Sequence, residues 1–459
     1  MVRGVAALAL CSLAGLVAAL SHEARPPLVD LGDRNASQLP GDQGEVSIAV
    51  DSDAPLRVVA AAMNVDQGPL LTMASDDGGE TWTRSVLPLE PEEQLHADPM
   101  VAFDARGVAH LAYIPVATRN QPLGIDLRRS SDGGATWSPP LRISKATGRD
   151  DKLTLAVDDG PESPFRDRIY VAWKWPSGGI YFSYSSDGGG TFTRRRLIDV
   201  AVVSGLDLAV TAEGTVCLAA SDGPGRKMRS LCSADGGRSF SPSVAVAPVR
   251  ALWYTRQPSH CNRTSLVHAS LAADRSSGSR RGLLYLTWAD YAEGGDEQRC
   301  REACGTAPGC HTRVFFSRSS DTGRTWSAPL PLPDQTEGSD RYFQWARTDP
   351  ADGTLYVAYK DTRLDPSRVG VDVWLSRSSD GGLTWEPPIR ASSASSDASR
   401  SSFQFGDYQG LAVAWGRVYP AWSDYRSDAA GLRDGEIYVG RLLFSNRAQP
   451  TRGATSRDP

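Results

Sequence analysis

The segment YFSYSSDGGGTF, Tyr181 to Phe192, places an alternating run before Ser-x-Asp-x-Gly-x-Thr and a closing aromatic residue. The pattern recurs as SDDGGETW from Ser75, SSDGGATW from Ser130, SADGGRSF from Ser233, SSDTGRTW from Ser319 and SSDGGLTW from Ser378. Each copy follows a strand-like run such as GIDLRRS and precedes a short extended stretch such as SPPLRIS, which reads as a hairpin corner. Short Ser and Asp side chains can accept from backbone N–H groups in the turn, and the glycines supply positive φ. The closing Trp or Phe is expected to pack back on the strands.

A second repeat lies between the corners: an apolar residue, Ala and a nearby Asp, as in SIAVD (Ala49), MVAFD (Ala102), TLAVD (Ala156), DLAVT (Ala209), SLAAD (Ala272), QWARTD (Ala346) and GLAVA (Ala412). After each comes another strand, for example IYVAWKW or TLYVAYKDTR. One unit is therefore strand A, strand B, strand C, the Asp/Gly corner and strand D. Such repetition of a four-stranded antiparallel unit predicts an all-β β-propeller, and seven units fit the chain, with six blades as the alternative. The last unit has no corner and no strand D. RPPLVDL, Arg25 to Leu31, resembles the D strands and is expected to complete the final blade, closing the ring and removing an exposed sheet edge.

The 459 residues contain no linker-like segment in their middle, which favours one repetitive body over several domains. The net charge of −5 and the lack of a basic run argue against nucleic acid as a partner. Arg3 followed by an apolar stretch from Val5 to Leu20 predicts a secretory signal over residues 1–21, since the stretch falls short of the ~20 residues of a spanning helix. The expected division is then signal 1–21, propeller 22–446 and a disordered tail 447–459, with the mature chain secreted or at the cell surface and carrying no membrane span. Six cysteines remain after the signal, Cys217, Cys232, Cys261, Cys300, Cys304 and Cys310. An even count in an oxidising compartment favours disulfides, and Cys217 and Cys232 could face each other across a hairpin. His260 and His311 each adjoin a cysteine, as zinc ligands would, but the spacing is not finger-like, so no metal and no cofactor are expected. Asn35 and Asn262 stand in glycan-acceptor sequons.

Six boxes of the form Ser-x-Asp-x-Gly-x-Thr-Trp over about residues 40–445 resemble the Asp-box (BNR-repeat) propellers of the sialidase superfamily. The resemblance implies that the boxes are structural and lie away from any site. In such a blade the D–A and B–C connections share the face opposite the boxes, and both long insertions fall there. Strand A entrances bring Glu45, Asp98, Asp151, Arg341, Asp407 and Tyr408 to that face, and B–C loops bring Asp66, Trp173, Trp288, Arg363 and Arg368. Carboxylates, arginine forks and indoles converging in one place suit a glycan, substrate or ligand. By resemblance, Tyr408 in GDYQGLA corresponds to the nucleophile of an exo-α-sialidase, Asp66 to the acid/base, and Arg368 with Arg363 or Arg341 to the carboxylate grip. Glu45 enters the first blade and Tyr408 the last, neighbours in a closed ring, so Glu45 is expected to take the Tyr408 proton. Two departures stand beside this: the family's first-blade Arg-Ile-Pro is replaced by EVSIAV, and seven units exceed its usual six blades. A non-catalytic glycan- or protein-binding propeller is the alternative.

Overall fold

The computed structural model describes residues 28–444 apart from 119–120, 146–149, 176–177, 202, 293–294, 400 and 427–433. The signal over 1–21, the tail over 447–459 and residues 25–27 lie outside the described residues. Seven antiparallel sheets follow one another around an axis. Blade 1 runs Gln43–Asp51, Ala54–Asn64, Leu71–Ser75 and Thr83–Val86 from its inner strand A to its outer strand D. Blades 2 to 6 repeat the order, their A strands being Leu95–Phe103, Asp151–Val157, Val203–Val210, Ser270–Ala273 and Arg341–Thr348. These strands are buried nearly throughout because each blade is covered by its neighbours on both faces.

Blade 7 is completed from the other end of the chain. Val29–Asn35 pairs with Glu436–Leu443 in the register Val29↔Leu443 and Arg34↔Val439, outside Arg417–Asp424 and Gly410–Ala414. Of RPPLVDL, the residues from Val29 on join the sheet. Its first residues are exposed, so apolar burial does little to hold it. It is fastened instead by the sheet ladder, by the Asp33–Arg426 ion pair at 2.9 Å, and by Ser37, whose buried Oγ accepts from the Ile437 N–H at 2.9 Å.

All six corners join strands C and D with one hydrogen-bond scheme. The Ser Oγ accepts from the N–H of the glycine four residues on at 2.8–2.9 Å. It donates to the Asp carboxylate at 2.7–2.8 Å. That carboxylate accepts the N–H of the Thr or Ser four residues on at 2.8–3.0 Å. The closing aromatic packs on strands of the preceding blade. Trp137 Nε1 donates to Thr72 Oγ1 at 3.2 Å, Trp326 Nε1 to Ser230 Oγ at 2.9 Å, and Phe240 sets its ring edge on Phe182 at 4.9 Å. A hairpin's own outer face needs a neighbour to bury it, so the large ring fills that interface. The second glycine shares the role: a Cβ on Gly134 (φ 93°) would meet Val59 of blade 1 at 2.7 Å.

The cysteines form Cys217–Cys232, Cys261–Cys304 and Cys300–Cys310. The first links directly opposed residues of strands B and C in blade 4. All six thiols are used, so none remains for a metal, and three disulfides fit an oxidising compartment. Among the described residues no helix is long and apolar enough to cross a membrane.

Candidate functional site

The A strands do not enter the ring straight. In blades 1, 2, 3 and 6 a bulge interrupts the A–B register, and the bulged residue is non-glycine with positive φ: Glu45 (52°), Asp98 (49°), Lys152 (50°) and Phe343 (51°). Such conformations cost about 1–2 kcal/mol each for an L-residue. The bulge re-aims its side chain toward the axis. In blade 4 the equivalent bulge holds Gly205, where a Cβ would stand 2.6 Å from the His268 ring.

The re-aimed charges meet on the face opposite the boxes. Lys152 Nζ lies 2.7 Å from Asp407 Oδ2, 3.2 Å from Asp98 Oδ1 and 4.0 Å from Glu45 Oε2. Arg263, from the long connection into blade 5, donates through Nε to Asp407 Oδ1 and through Nη2 to Glu45 Oε1, both at 2.8 Å. Asp151 pairs with Lys174 at 2.9 Å on the rim, where its side chain is 40% exposed, whereas Glu45 at the base is 2% exposed. Exposure falls from Asp151 to Glu45, and this graded charged cluster is the axial funnel.

Three buried carboxylates, Glu45, Asp98 and Asp407, face two cations. Burial pushes the Glu45 carboxyl well above the usual carboxylate range, and Asp407 and Asp98 add to it against Lys152 and Arg263. Burial would also lift Asp407, but Lys152 and Arg263 override it and hold that carboxyl below the usual range. The excess of carboxylates over cations opposes the ionisation of Glu45 most. Lys152 is held well above the usual lysine value, its carboxylate neighbours outweighing burial.

Tyr408 lies under this cluster, 3% exposed, with Lys152 Nζ 5.9 Å from its ring centroid. Its hydroxyl donates to the Pro99 carbonyl at 3.4 Å, its one hydrogen bond among the described residues. Burial, with Asp98 and Glu45 nearby, raises its pKa well above the usual phenol value. Tyr408 and Gln409 also line the axial channel, a cavity of about 230 Å³, and the buried Gln409 amide has no partner among the described residues.

Of the other residues singled out in the sequence, Asp98, Asp151 and Asp407 belong to this cluster. Asp66 is exposed and accepts from the Asp42 N–H at 2.8 Å, and no contact joins it to the cluster among the described residues. Arg341 is fully buried, donating to Asp361 at 2.9 Å and to the Pro333 carbonyl at 2.8 Å. Arg363 donates to the same Asp361 carboxylate at 2.6 Å, and Arg368 to Asp340 at 2.8 Å. These guanidiniums are engaged within blade 6 and its neighbours. Trp173 packs against Tyr181 and Trp288 against Phe315; both indoles are buried and present no face to a sugar. Sequence reasoning passed over Arg263, which sits in an insertion outside the repeat. It also passed over Lys360, a buried lysine on the Phe405 ring at 3.9 Å, pushed down to about 7 by burial.

No protein-family model matches the chain, and no curated protein matches it. Solved structures do resemble it. A lectin from Burkholderia pseudomallei has TM-score 0.55 at 11% identity, covering 89% of this chain and 98% of that one. A protein of unknown function from Dyadobacter fermentans has TM-score 0.50 at 16% identity, covering 91% and 99%. A leech intramolecular trans-sialidase has TM-score 0.48 at 13% identity, covering 74% and 67%. At these identities the likeness is one of fold alone.

Proposed function

We propose that this is a secreted glycan-binding propeller that holds its ligand in the axial funnel without cleaving it. The observation that carries this reading is the state of the Tyr408–Glu45 pair. The phenol is turned to the Pro99 carbonyl, and the carboxyl is bound by Arg263. A nucleophilic phenolate needs a base that takes its proton, and here burial and two nearby carboxyl groups oppose ionisation. The funnel charges are compensated among themselves, which suits the hydroxyls of a neutral sugar better than a carboxylate. Three disulfides and the apolar leader support the secreted location.

The second reading is a glycoside hydrolase of exo-α-sialidase type, with Tyr408 as nucleophile, Glu45 as base and Asp66 as acid/base. It is favoured by the meeting of Tyr408, Glu45, Asp98 and Asp407, which come from blades 1, 2 and 7, at one end of the axis. A glycan array and a panel of fluorogenic glycosides that includes sialosides separate the two. Glycan binding weakened by Asp407→Asn, with no turnover, is expected. Turnover abolished by Tyr408→Phe in a folded protein would establish the hydrolase instead.

A further inference from the structure

The two insertions build a second cleft away from the axis. Arg226 comes from the B–C turn of blade 4, Arg250 and Arg256 from the connection into blade 5, and Arg301 from the B–C insertion of blade 5; together they line a cleft of about 930 Å³. Cys261–Cys304 ties one insertion to the other and Cys300–Cys310 closes the second on itself, so the walls are covalently fixed.

The acidic residues around the cleft are largely engaged by amides. Glu297 accepts from the Leu252 N–H at 2.7 Å, Asp296 from the Arg299 N–H at 2.8 Å, and Glu302 from the Gln298 side chain at 3.0 Å. Beneath them, Asp290 accepts from the Arg250 and Ala251 N–H groups at 2.6 and 2.9 Å. Among the described residues, Arg226 is the one cleft arginine within ion-pair reach of a carboxylate, Glu297 at 3.7 Å. Among the described residues, the Arg250 guanidinium donates only to the Tyr291 carbonyl at 3.4 Å, Arg301 lies 5.4 Å from the Tyr254 ring centroid, and the buried Nε of Arg256 has no partner.

We propose that this cleft binds an anionic glycan, with Arg250, Arg256 and Arg301 gripping its sulfate or carboxylate groups. Guanidinium forks match both anions, and the carboxylate oxygens of Asp296 and Glu302 on the same wall can accept sugar hydroxyls. The net charge of −5 speaks against a nucleic acid occupant. This site does not depend on the axial funnel being a ligand site.

Titration calorimetry of the full chain with a heparin-derived tetrasaccharide, a galacturonate tetrasaccharide and neutral maltotetraose tests it. At least one anionic probe is expected to bind, about tenfold more weakly at physiological salt than at low salt, while maltotetraose neither binds the cleft nor competes. Binding by heparin alone identifies sulfate as the recognised group; binding by both identifies carboxylate as sufficient. Arg250 and Arg301 are exposed, so the double variant R250S/R301S should keep its unfolding temperature and lose about tenfold or more in affinity. Failure of both anionic probes to bind, or unchanged affinity in that variant, overturns the proposal. A neutral glycan bound in the funnel would leave these results unaffected, so the two readings fail separately.

Discussion

The two faces of this propeller repeat in different ways. On the box face, sequence and geometry repeat together: six corners use the same side chains and the same three hydrogen bonds. At the axial mouth only the geometry repeats, as a bulge at the same place in strand A, filled by Glu45, Asp98, Lys152, Gly205 or Phe343. A corner is satisfied within eight residues, so one local solution serves every blade. The mouth is satisfied only across blades, where each charge depends on partners from other units. The faces also differ in electrostatics. Hydrogen bonds hold the exposed box carboxyl of Asp132 below the usual range, while burial pushes the Glu45 carboxyl at the mouth above it.

The strongest challenge to this contrast is Lys152→Met. It leaves Asp98, Asp407 and Glu45 buried with Arg263 as their remaining partner, and removing one member of a buried ion cluster costs about 3–5 kcal/mol. Urea unfolding at neutral pH should show that loss. A loss under about 1 kcal/mol would mean that the mouth is no more interdependent than a corner.

Within the box face, Ser130→Ala should cost more than Asp132→Ala. The Ser130 Oγ is the buried acceptor for the Gly134 N–H, and stranding that donor costs about 1–3 kcal/mol. A reversed order would place the strength of the corner in its exposed carboxylate.

The pH dependence separates the faces by sign. The folded Glu45 carboxyl stays protonated above the ordinary value of about 4.3, so the native state holds a proton that the unfolded chain has released. Its contribution is full below that ordinary value and is lost as pH rises through the raised one. Glu45→Gln, which keeps an acceptor for Arg263, should flatten this limb of the stability–pH curve; an unchanged slope would remove Glu45 as the proton holder.

The smallest effect is expected for Asp132→Ala, below about 1 kcal/mol at neutral pH because the carboxylate is exposed. Burial opposes its ionisation slightly, but hydrogen bonds from Thr136 and Ser130 hold it at about 2. That contribution is present above the ordinary Asp value of about 3.9 and is lost as pH falls toward 2. The variant should therefore lose part of the wild-type acid limb while leaving the alkaline side unchanged.

The corners, the four-strand unit and the closure by the N-terminal strand were legible in the sequence, with seven blades favoured over six. Each follows from short-range spacing and turn chemistry, and from the need to cover a sheet edge. The Cys217–Cys232 bridge was legible for the same reason, since a hairpin sets its own register. Tertiary structure alone decided which charges meet and which side chains face solvent. Arg263 reaches Glu45 across 218 residues, and no periodicity marks it because it lies in an insertion. Arg341, Arg363 and Arg368 look in sequence like free cations on strand ends, yet Asp361 and Asp340 already hold them. Trp173 and Trp288 look like loop-end indoles, yet the adjoining blades bury them. Local sequence states which group is available; only the packing of blade on blade states whether its partner is solvent, a ligand or another part of the same chain.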